Sequence, residues 1–431
     1  MRTKFSAAPR VPLNTLWKAT ARGFEALQVR NYRLFWFSQL ISLTGSWMQS
    51  TAQAWLVLKL TNDSPFALGV VVTLQFFPVM LFALFGGVLA DHLPKRTTLI
   101  VTQSLLLIQA AIFGGLVATG AIQLWHVYVL AMTQGLITAI DNPVRQAFLF
   151  EMVGRDVLVN AIGLNSMSFQ VTRIFGPAVA GIVIQLVGFA PTLFLNAFSF
   201  VPVIGALLLM DASKLFAAPA TGEASMLERL REGLRFARRT PSILSILIVA
   251  AFIGTFGINF SVFTPLIADN VLKTDASGFG LLSAAVGVGA LFAALGTAYM
   301  RRVTMRRLLV SGALFSIFLG TLALSTTLWV SILLFVIVGF TGIAWATTTN
   351  SLLQLETPEQ LRGRVLSINV LLTIGSTPIG GFFIGSVAQV AGVETAMLIC
   401  TLLCLVGVGI AVLYRWRVAQ MSPETRPARV A

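Results

Sequence analysis

The side chain with the clearest chemical potential in this sequence is Arg173, because it lies inside a long apolar run with no other charge near it. An arginine at the centre of a membrane helix costs roughly 2.5–3.5 kcal/mol on insertion scales, so it persists where it faces water or a partner. Two interpretations stay open. Arg173 either anchors an interhelical hydrogen bond, or offers a cationic contact to an anionic substrate or to a state-dependent ion pair.

Side-chain amides inside the apolar runs form a second set of candidate ligands. Polar groups in a membrane span are expected to face other helices or a water-filled cavity. Each amide alone is more typical of an interhelical hydrogen bond, whereas together they are consistent with a cavity lining. The candidates for substrate contact besides Arg173 are Gln49, Gln53, Gln134, Gln170, Asn259 and Asn369.

An enzyme active site is not predicted. His92 and His126 fall at opposite ends of the apolar runs, and the two cysteines, Cys400 and Cys404, share one run. Catalysis would need a nucleophile–base pair or a metal-binding group of residues, and two thiols do not make a zinc site. We therefore expect no metal and no cofactor.

The composition indicates which elements position these side chains. Of 431 residues, 56% are hydrophobic and 11% are charged, with a mean hydropathy of +0.86. A soluble globular protein carries about 25% charged residues. Apolar runs of about 20 residues, the length that crosses a bilayer, recur along the chain and lack the strict alternation of barrel strands. The sequence therefore predicts an all-α membrane protein with twelve transmembrane helices.

The predicted helices fall into two sets of six, separated by one long polar interruption. Within it, apolar and basic residues between Met226 and Arg238 recur at helical spacing, which is typical of an interfacial amphipathic helix. Pro177 and Pro378 lie in matching positions of the two sets, which indicates a duplicated unit that binds substrate between its copies. The predicted organisation is an arm (1–33), a six-helix bundle (34–210), a linker (211–241), a second six-helix bundle (242–415) and a tail (416–431).

The positive charges are distributed asymmetrically. The chain has 30 Lys and Arg residues, and in the predicted loops on one side of the membrane only Lys59 and Lys273 occur. This bias predicts that both termini are cytoplasmic. The basic excess is therefore expected to face anionic lipid and not nucleic acid.

The stretch Phe85–Arg96 joins two apolar runs and reads Phe-Gly-Gly-Val-Leu-Ala-Asp-His-Leu-Pro-Lys-Arg. It resembles the loop signature between the second and third helices of the major facilitator superfamily, with His92 and Pro94 in place of the usual Arg and Gly. In that family the loop helps to latch the two halves in one state. The resemblance implies a latch formed by Gly87, Asp91, Lys95 and Arg96.

Two further stretches carry the resemblance. Gly176, Pro177 and Gly181 are similar to the antiporter signature of the family's fifth helix, which favours export and implies a hinge; a packing kink is the alternative. The sequence Asp141-Asn-Pro-Val-Arg145-Gln resembles the end of the fourth helix in a branch that includes enterobactin (siderophore) exporters. Asp141 and Arg145 are therefore candidates for a gate, with an end-of-helix salt bridge as the alternative.

These resemblances imply a secondary active transporter of the inner (plasma) membrane that works by alternating access. The expected cargo is a small amphipathic compound, a siderophore or a drug-like metabolite, and the expected direction is export. Proton coupling is implied by the family alone, because no predicted span centre holds a carboxylate. We expect a monomer. The alternative function is a membrane receptor or scaffold that keeps the fold without transport.

Overall fold

A computed structural model of the protein describes residues 23–82, 93–216, 226–298 and 303–420. Helices make up all the regular secondary structure within these ranges. Two of the predicted latch residues, Gly87 and Asp91, lie outside them. So do residues 1–22 of the predicted arm, 217–225 of the linker and 421–431 of the tail.

Six long helices precede the linker. Their bounds are α1 (Arg30–Leu60), α2 (Pro65–Phe82), α3 (Lys95–Ala118), α4 (Leu124–Val153), α5 (Leu158–Val187) and α6 (Phe189–Leu209). Helix α1 begins at Arg30, inside the predicted arm. Its 31 residues exceed the length that the hydrocarbon core requires, so its first turns extend beyond the core. Pro177 lies inside α5, and the helix continues through this residue without interruption.

The second part of the chain begins with the amphipathic helix and is more interrupted. Its helices are α7 (Met226–Arg239), α8 (Pro241–Phe252), α9 (Phe260–Leu266), α10 (Ala276–Ala298), α11 (Met305–Ala323), α12 (Leu328–Glu356), α13 (Glu359–Thr373), α14 (Thr377–Ala391) and α15 (Val393–Gln420). Two π-helical turns, Ile253–Gly257 and Ile267–Val271, follow α8 and α9 and merge them into one segment of spanning length.

Ten helical segments within the described ranges are long and apolar enough to cross a bilayer. Helices α1 and α4 are of similar length but are not among them. Helix α1 buries amides such as Gln39, Gln49 and Gln53 along its length, and these lower its hydropathy. The all-helical membrane class is therefore confirmed, whereas ten spans and not twelve meet the criteria of length and composition.

The helices pack into two halves that meet along a seam. In the first half, α1 packs on α5 and α6, and α2 packs on α4; in the second, α12 packs on α10 and α11, and α15 on α8 and α11. Between the halves, the extensive contacts are α5 with α10 and α2 with α14. The seam thus consists of two helix crossings, one on each side of the molecule.

Glycines set the distance between the helices at both crossings. A Cβ atom added at Gly181 of α5 would lie 2.6 Å from the carbonyl oxygen of Ala276 and 3.1 Å from the Cα of Gly280 in α10. At the other crossing, a Cβ added at Gly69 of α2 would lie 2.9 Å from the Cα of Gly385 in α14. Small residues let membrane helices approach backbone to backbone, and neither crossing leaves room for a side chain.

We expect the variant Gly181→Val to unfold at a clearly lower temperature in detergent than the unchanged protein. Overpacking a close contact costs about 1–3 kcal/mol, and here the obstacle is backbone that cannot rotate away. Gly163→Val is the matched control, because Gly163 is on the same helix and a Cβ there meets nothing within 4 Å. Equal unfolding midpoints for the two variants would contradict the close crossing.

Candidate functional site at the seam between the halves

Arg173 lies on the face of α5 that turns towards the seam. Gly176 packs against Trp47 of α1, whereas Ile174 and Gly181 contact α10. At 100° per residue, Arg173 falls between these two contact stripes. Its side chain is partly exposed, and among the described residues no hydrogen-bond acceptor or carboxylate pairs with its guanidinium. The structure therefore presents an unneutralised cation between the halves.

Gln170 accompanies Arg173 on the same face. It precedes Arg173 by three residues, a spacing that brings side chains together on a helix surface. It is also partly exposed. Of the six predicted amide ligands, Gln170 is therefore the one that shares a helix face with Arg173.

Three predicted amide ligands instead join a network inside the first half. Nε2 of Gln49 donates to Oε1 of Gln109 at 3.2 Å and to Oε1 of Gln134 at 3.4 Å, and Oε1 of Gln49 accepts from Asn196 at 2.7 Å. Nε2 of Gln53 donates to Oε1 of Gln75 at 3.3 Å. Interhelical amide bonds of this kind hold membrane helices together. Gln109 and Asn196 were missed from the sequence, although each is an amide in an apolar run like those selected.

The second half contains buried polar atoms that lack a protein partner within the described residues. Asn259 follows the first π-helical turn, and its Nδ2 donates to the carbonyl oxygen of Thr255 at 2.6 Å while its Oδ1 is unpaired. Oδ1 of Asn369 and Nε1 of Trp345 are also buried without a hydrogen-bond partner among the described residues. Buried polar atoms are almost always hydrogen-bonded, so this half offers free donors and acceptors to a ligand or to water.

The gate candidate Asp141 is fully engaged within the first half. Its Oδ1 accepts from Oγ1 of Thr102 at 2.6 Å and from Nε2 of Gln103 at 2.8 Å. Its Oδ2 accepts from both Nε and a terminal nitrogen of Arg145. The carboxylate is almost completely buried. In this conformation Asp141 and Arg145 brace α3 and α4, and none of their bonds to described residues crosses the seam.

The described part of the predicted latch also contacts its own half. Nζ of Lys95 lies 2.8 Å from Oε1 of Glu151 at the end of α4, and both side chains are largely buried. Nε of Arg96 donates to the carbonyl oxygen of Leu207 at 2.7 Å, which ties α3 to the end of α6. Glu151 was not foreseen, because nothing in its local sequence relates it to Lys95. We call this region of the molecule the Lys95 end.

At the opposite end, which we call the Lys59 end, polar contacts cross the seam. Nζ of Lys59 lies 2.6 Å from Oδ1 of Asp269, and Oγ of Ser64 donates to Oε1 of Gln389 at 2.8 Å. The ring of Trp55 stacks on that of Phe279 at 5.4 Å between centroids. Within the described residues, the side-chain bonds of the Lys95 end do not join the two halves. The halves are therefore fastened together at the Lys59 end.

A family comparison decides what this architecture is. Residues 21–429 match the model of the transmembrane secretion effector family. The chain belongs to that family. A member of the transmembrane secretion effector family is a transporter of the major facilitator type and not an enzyme, as the sequence predicted. Both the resemblance and the absence of an enzymatic role are thereby confirmed.

Curated relatives of this transmembrane secretion effector chain include siderophore and drug transporters. The staphyloferrin A transporter of Staphylococcus aureus is 26% identical, covering 84% of this chain and 90% of the relative. The multidrug efflux pump Tap of Mycolicibacterium fortuitum is 26% identical, covering 91% and 98%. The enterobactin exporter EntS of Shigella boydii is 22% identical, covering 82% and 84%.

A solved structure supports the fold of this family member. A bacterial homologue of the human lysosomal transporter Spinster, in an inward-facing and unoccupied conformation, superposes with a TM-score of 0.69 at 14% identity. The match covers 91% of this chain and 99% of that one. The chain therefore has the major facilitator fold. Its family membership shows that it is a secondary transporter in a membrane.

Proposed function

We propose that the protein exports a small amphipathic anion across the inner (plasma) membrane by alternating access of the seam. The observation that carries the proposal is Arg173, an unpaired cation on the face of α5 that turns towards the seam. A cation without a counter-ion at membrane depth is costly, so it fits a site that an anionic cargo completes. Phenolate and carboxylate siderophores, or acidic drug-like metabolites, have this chemistry.

The arrangement of polar groups supports a site shared by both halves. Arg173 and Gln170 contribute from the first half, whereas Asn259 and Asn369 contribute unpaired oxygens from the second. A substrate held between the two halves is bound at the interface of the repeats, as in other transporters built from internal repeats. Gln49, Gln53 and Gln134 have partners of their own. We assign them to holding the first half together beside the site.

The proposal includes twelve spans, with both termini in the cytoplasm. Helices α1 and α4 are long enough to cross, and their amides are buried against neighbouring helices and not exposed to lipid. Because Lys59 and Lys273 are the basic residues of the less positive side, the Lys59 end faces outward. The described conformation is then closed to the outside.

The hinge and the gate would act at different places. The hinge would lie at the α5 crossing and consist of Gly176, Pro177 and Gly181. When the Lys95 end closes, four side chains would change partners: Lys95, Arg96, Asp141 and Arg145.

Three considerations favour export with protons as the coupling ion. The Gly176-Pro177 stretch resembles the antiporter signature, and two of the relatives are an efflux pump and an exporter. An exporter working against a concentration gradient needs a driving ion, and the inward proton gradient of the plasma membrane supplies one. The protein is expected to work as a monomer.

Uptake into inside-out membrane vesicles tests the proposal. Staphyloferrin A and enterobactin serve as anionic probes, and ethidium serves as a cationic probe, each with and without an imposed pH gradient. The expected result is protein-dependent, gradient-dependent uptake of an anionic probe in excess over ethidium. Vesicles that accumulate none of the three beyond protein-free vesicles would instead support a receptor or scaffold that retains the fold.

A further inference from the structure

Three charged side chains meet across the seam at the Lys59 end. Nζ of Lys59, near the end of α1, lies 2.6 Å from Oδ1 of Asp269 and 3.4 Å from Oδ1 of Asp63. Asp63 belongs to the turn between α1 and α2, whereas Asp269 belongs to the π-helical turn after α9. We call Lys59, Asp63 and Asp269 the gate triad. It consists of an ion pair between the two halves, Lys59 with Asp269, and of a second carboxylate, Asp63, that contacts the same ammonium.

The surroundings of Asp269 are unfavourable for a permanent charge. Its side chain is 6% exposed, and its Oδ2 is buried without a hydrogen-bond partner among the described residues. The ring of Trp55 covers the ammonium of Lys59 at 4.8 Å. A half-satisfied buried carboxylate loses much of its hydration, which favours its protonated form. Single π-helical turns such as Ile267–Val271 are frequent at functional sites.

The charges of the gate triad do not balance. Two carboxylates share one ammonium, so the fully ionised cluster carries a net negative charge. Close carboxylates titrate as a pair, and one proton is shared between them. The neighbouring side chain of Asp269 and the ammonium of Lys59 lower the pKa of Asp63 below its ordinary value. Because the side chain of Asp63 is 39% exposed and that of Asp269 is 6% exposed, a proton added to the pair is favoured on Asp269.

The backbone holds these groups in place. Asp63 adopts a φ of 64° and the exposed Lys273 a φ of 49°, both in the left-handed region that non-glycine residues rarely occupy. Nδ2 of Asn270 donates to the carbonyl oxygen of Asp63 at 3.3 Å and so ties the two turns together across the seam. Conformations of this kind persist where the surrounding structure imposes them, and they occur often at functional sites.

Three other charged side chains lie near the triad: Lys273, Asp275 and Glu394. Lys273 adds a positive charge close to Asp63. Asp275, just before α10, accepts from Oγ of Ser277 at 2.6 Å and from the backbone N–H of Gly278 at 2.9 Å. Glu394 in the first turn of α15 is exposed. Among the described carboxylates at this end, Asp269 is therefore the buried one that contacts the opposite half.

We propose that the gate triad is a proton-binding site that controls the opening of the Lys59 end. A proton from water at that end binds to a carboxylate oxygen of the Asp63–Asp269 pair, and Lys59 keeps its charge. The protonated Asp269 no longer forms an ion pair with Lys59, which removes the charged contact that joins the halves. This inference deepens the proposed function, since it identifies where the coupling proton acts.

Spin labels at the Lys59 end report on this step without any substrate. Leu60→Cys and Val390→Cys place labels on exposed positions of α1 and α14, one in each half, in a background with Cys400→Ala and Cys404→Ala. Double electron–electron resonance in lipid nanodiscs then gives the distance between the labels. Because burial favours the protonated form of a carboxyl, we expect the population to shift to longer distances as the pH falls from about 8 to about 5.

Variants of the triad and of a neighbouring carboxylate identify the group that titrates. Asp269→Asn is expected to abolish the pH response and to leave the longer distance at every pH. Asp269→Glu should retain a response with a shifted midpoint, which keeps the test valid if the asparagine variant does not fold. Asp275→Asn is the matched control and should behave like the unsubstituted protein. An unchanged pH response in a folded Asp269 variant would overturn the proposal.

The outcome is separable from that of the transport assay. A pH response that depends on Asp269, in a protein that moves none of the probes, would contradict the proposed function and leave the gate intact. Gradient-driven uptake that persists unchanged in Asp269→Asn would contradict the gate and leave the proposed function intact.

Discussion

Replacing Arg173 with alanine is expected to raise the concentration of an anionic siderophore for half-maximal uptake by roughly 10- to 150-fold. A hydrogen bond to a charged group contributes about 1.5–3 kcal/mol, and each 1.4 kcal/mol corresponds to tenfold in affinity. The partly buried guanidinium of Arg173 has no counter-ion among the described residues, so the substrate would be its main anionic partner. Uptake of ethidium should change little, because a cation gains nothing from Arg173.

Two substitutions separate charge from packing at this position. Arg173→Lys keeps the positive charge but loses the planar fork that binds a carboxylate through two parallel bonds, so an intermediate loss is expected. Arg155→Ala is the matched control, because Arg155 is an exposed arginine just before the same helix. If Arg173→Ala lowers the unfolding temperature without changing the concentration dependence, Arg173 is an interhelical anchor and the cargo contact is wrong.

The variant Asp141→Asn is expected to cause the largest loss of stability. It leaves the guanidinium of Arg145 largely buried and without its counter-ion, and breaking a buried pair from one side costs about 3–5 kcal/mol. The midpoint of thermal unfolding in detergent should fall by far more than for Asp211→Asn. Asp211 is the matched control, since its contact with Lys214 at 3.6 Å is exposed to water.

A double variant tests the reason for that loss. Adding Arg145→Gln to Asp141→Asn removes the uncompensated charge while leaving amides that can bond to each other and to Gln103. Part of the lost stability should return, because the buried charge and not the missing bond is the larger cost. A double variant no more stable than Asp141→Asn alone would show that the uncompensated charge of Arg145 is not the cause of the loss.

Much of the fold follows from local features of the sequence. A bilayer requires long apolar helices, so most spans could be read directly from the sequence. Helices α1 and α4 are harder to assign because their amides bond to neighbouring helices, and that compensation is invisible in a hydropathy average. The two π-helical turns, one before Asn259 and one after α9, were likewise not predicted, since no local pattern distinguishes them from an interrupted α-helix.

The site was predictable one residue at a time but not as an assembly. Arg173 stood out because a charge in an apolar run is rare and costly. The partners of Lys95 and Lys59 could not be foreseen, because Glu151 lies on another helix and Asp269 is 210 residues from Lys59. Their proximity results from helix packing and from the glycine crossings. The roles assigned to the seam residues stay predictions that the experiments above address.

The central claim is that the seam must open at the Lys59 end for transport, and a reversible cross-link tests it most directly. A Cβ at Gly381 of α14 would lie 3.6 Å from the Cβ of Val72 in α2, which suits a disulfide between the halves. The measurement is vesicle uptake by Val72→Cys/Gly381→Cys, in the Cys400→Ala/Cys404→Ala background, before oxidation, after oxidation and after reduction. We predict that oxidation abolishes uptake and that a reductant restores it, while each single-cysteine variant is insensitive. Undiminished uptake after complete disulfide formation would contradict alternating access along this seam.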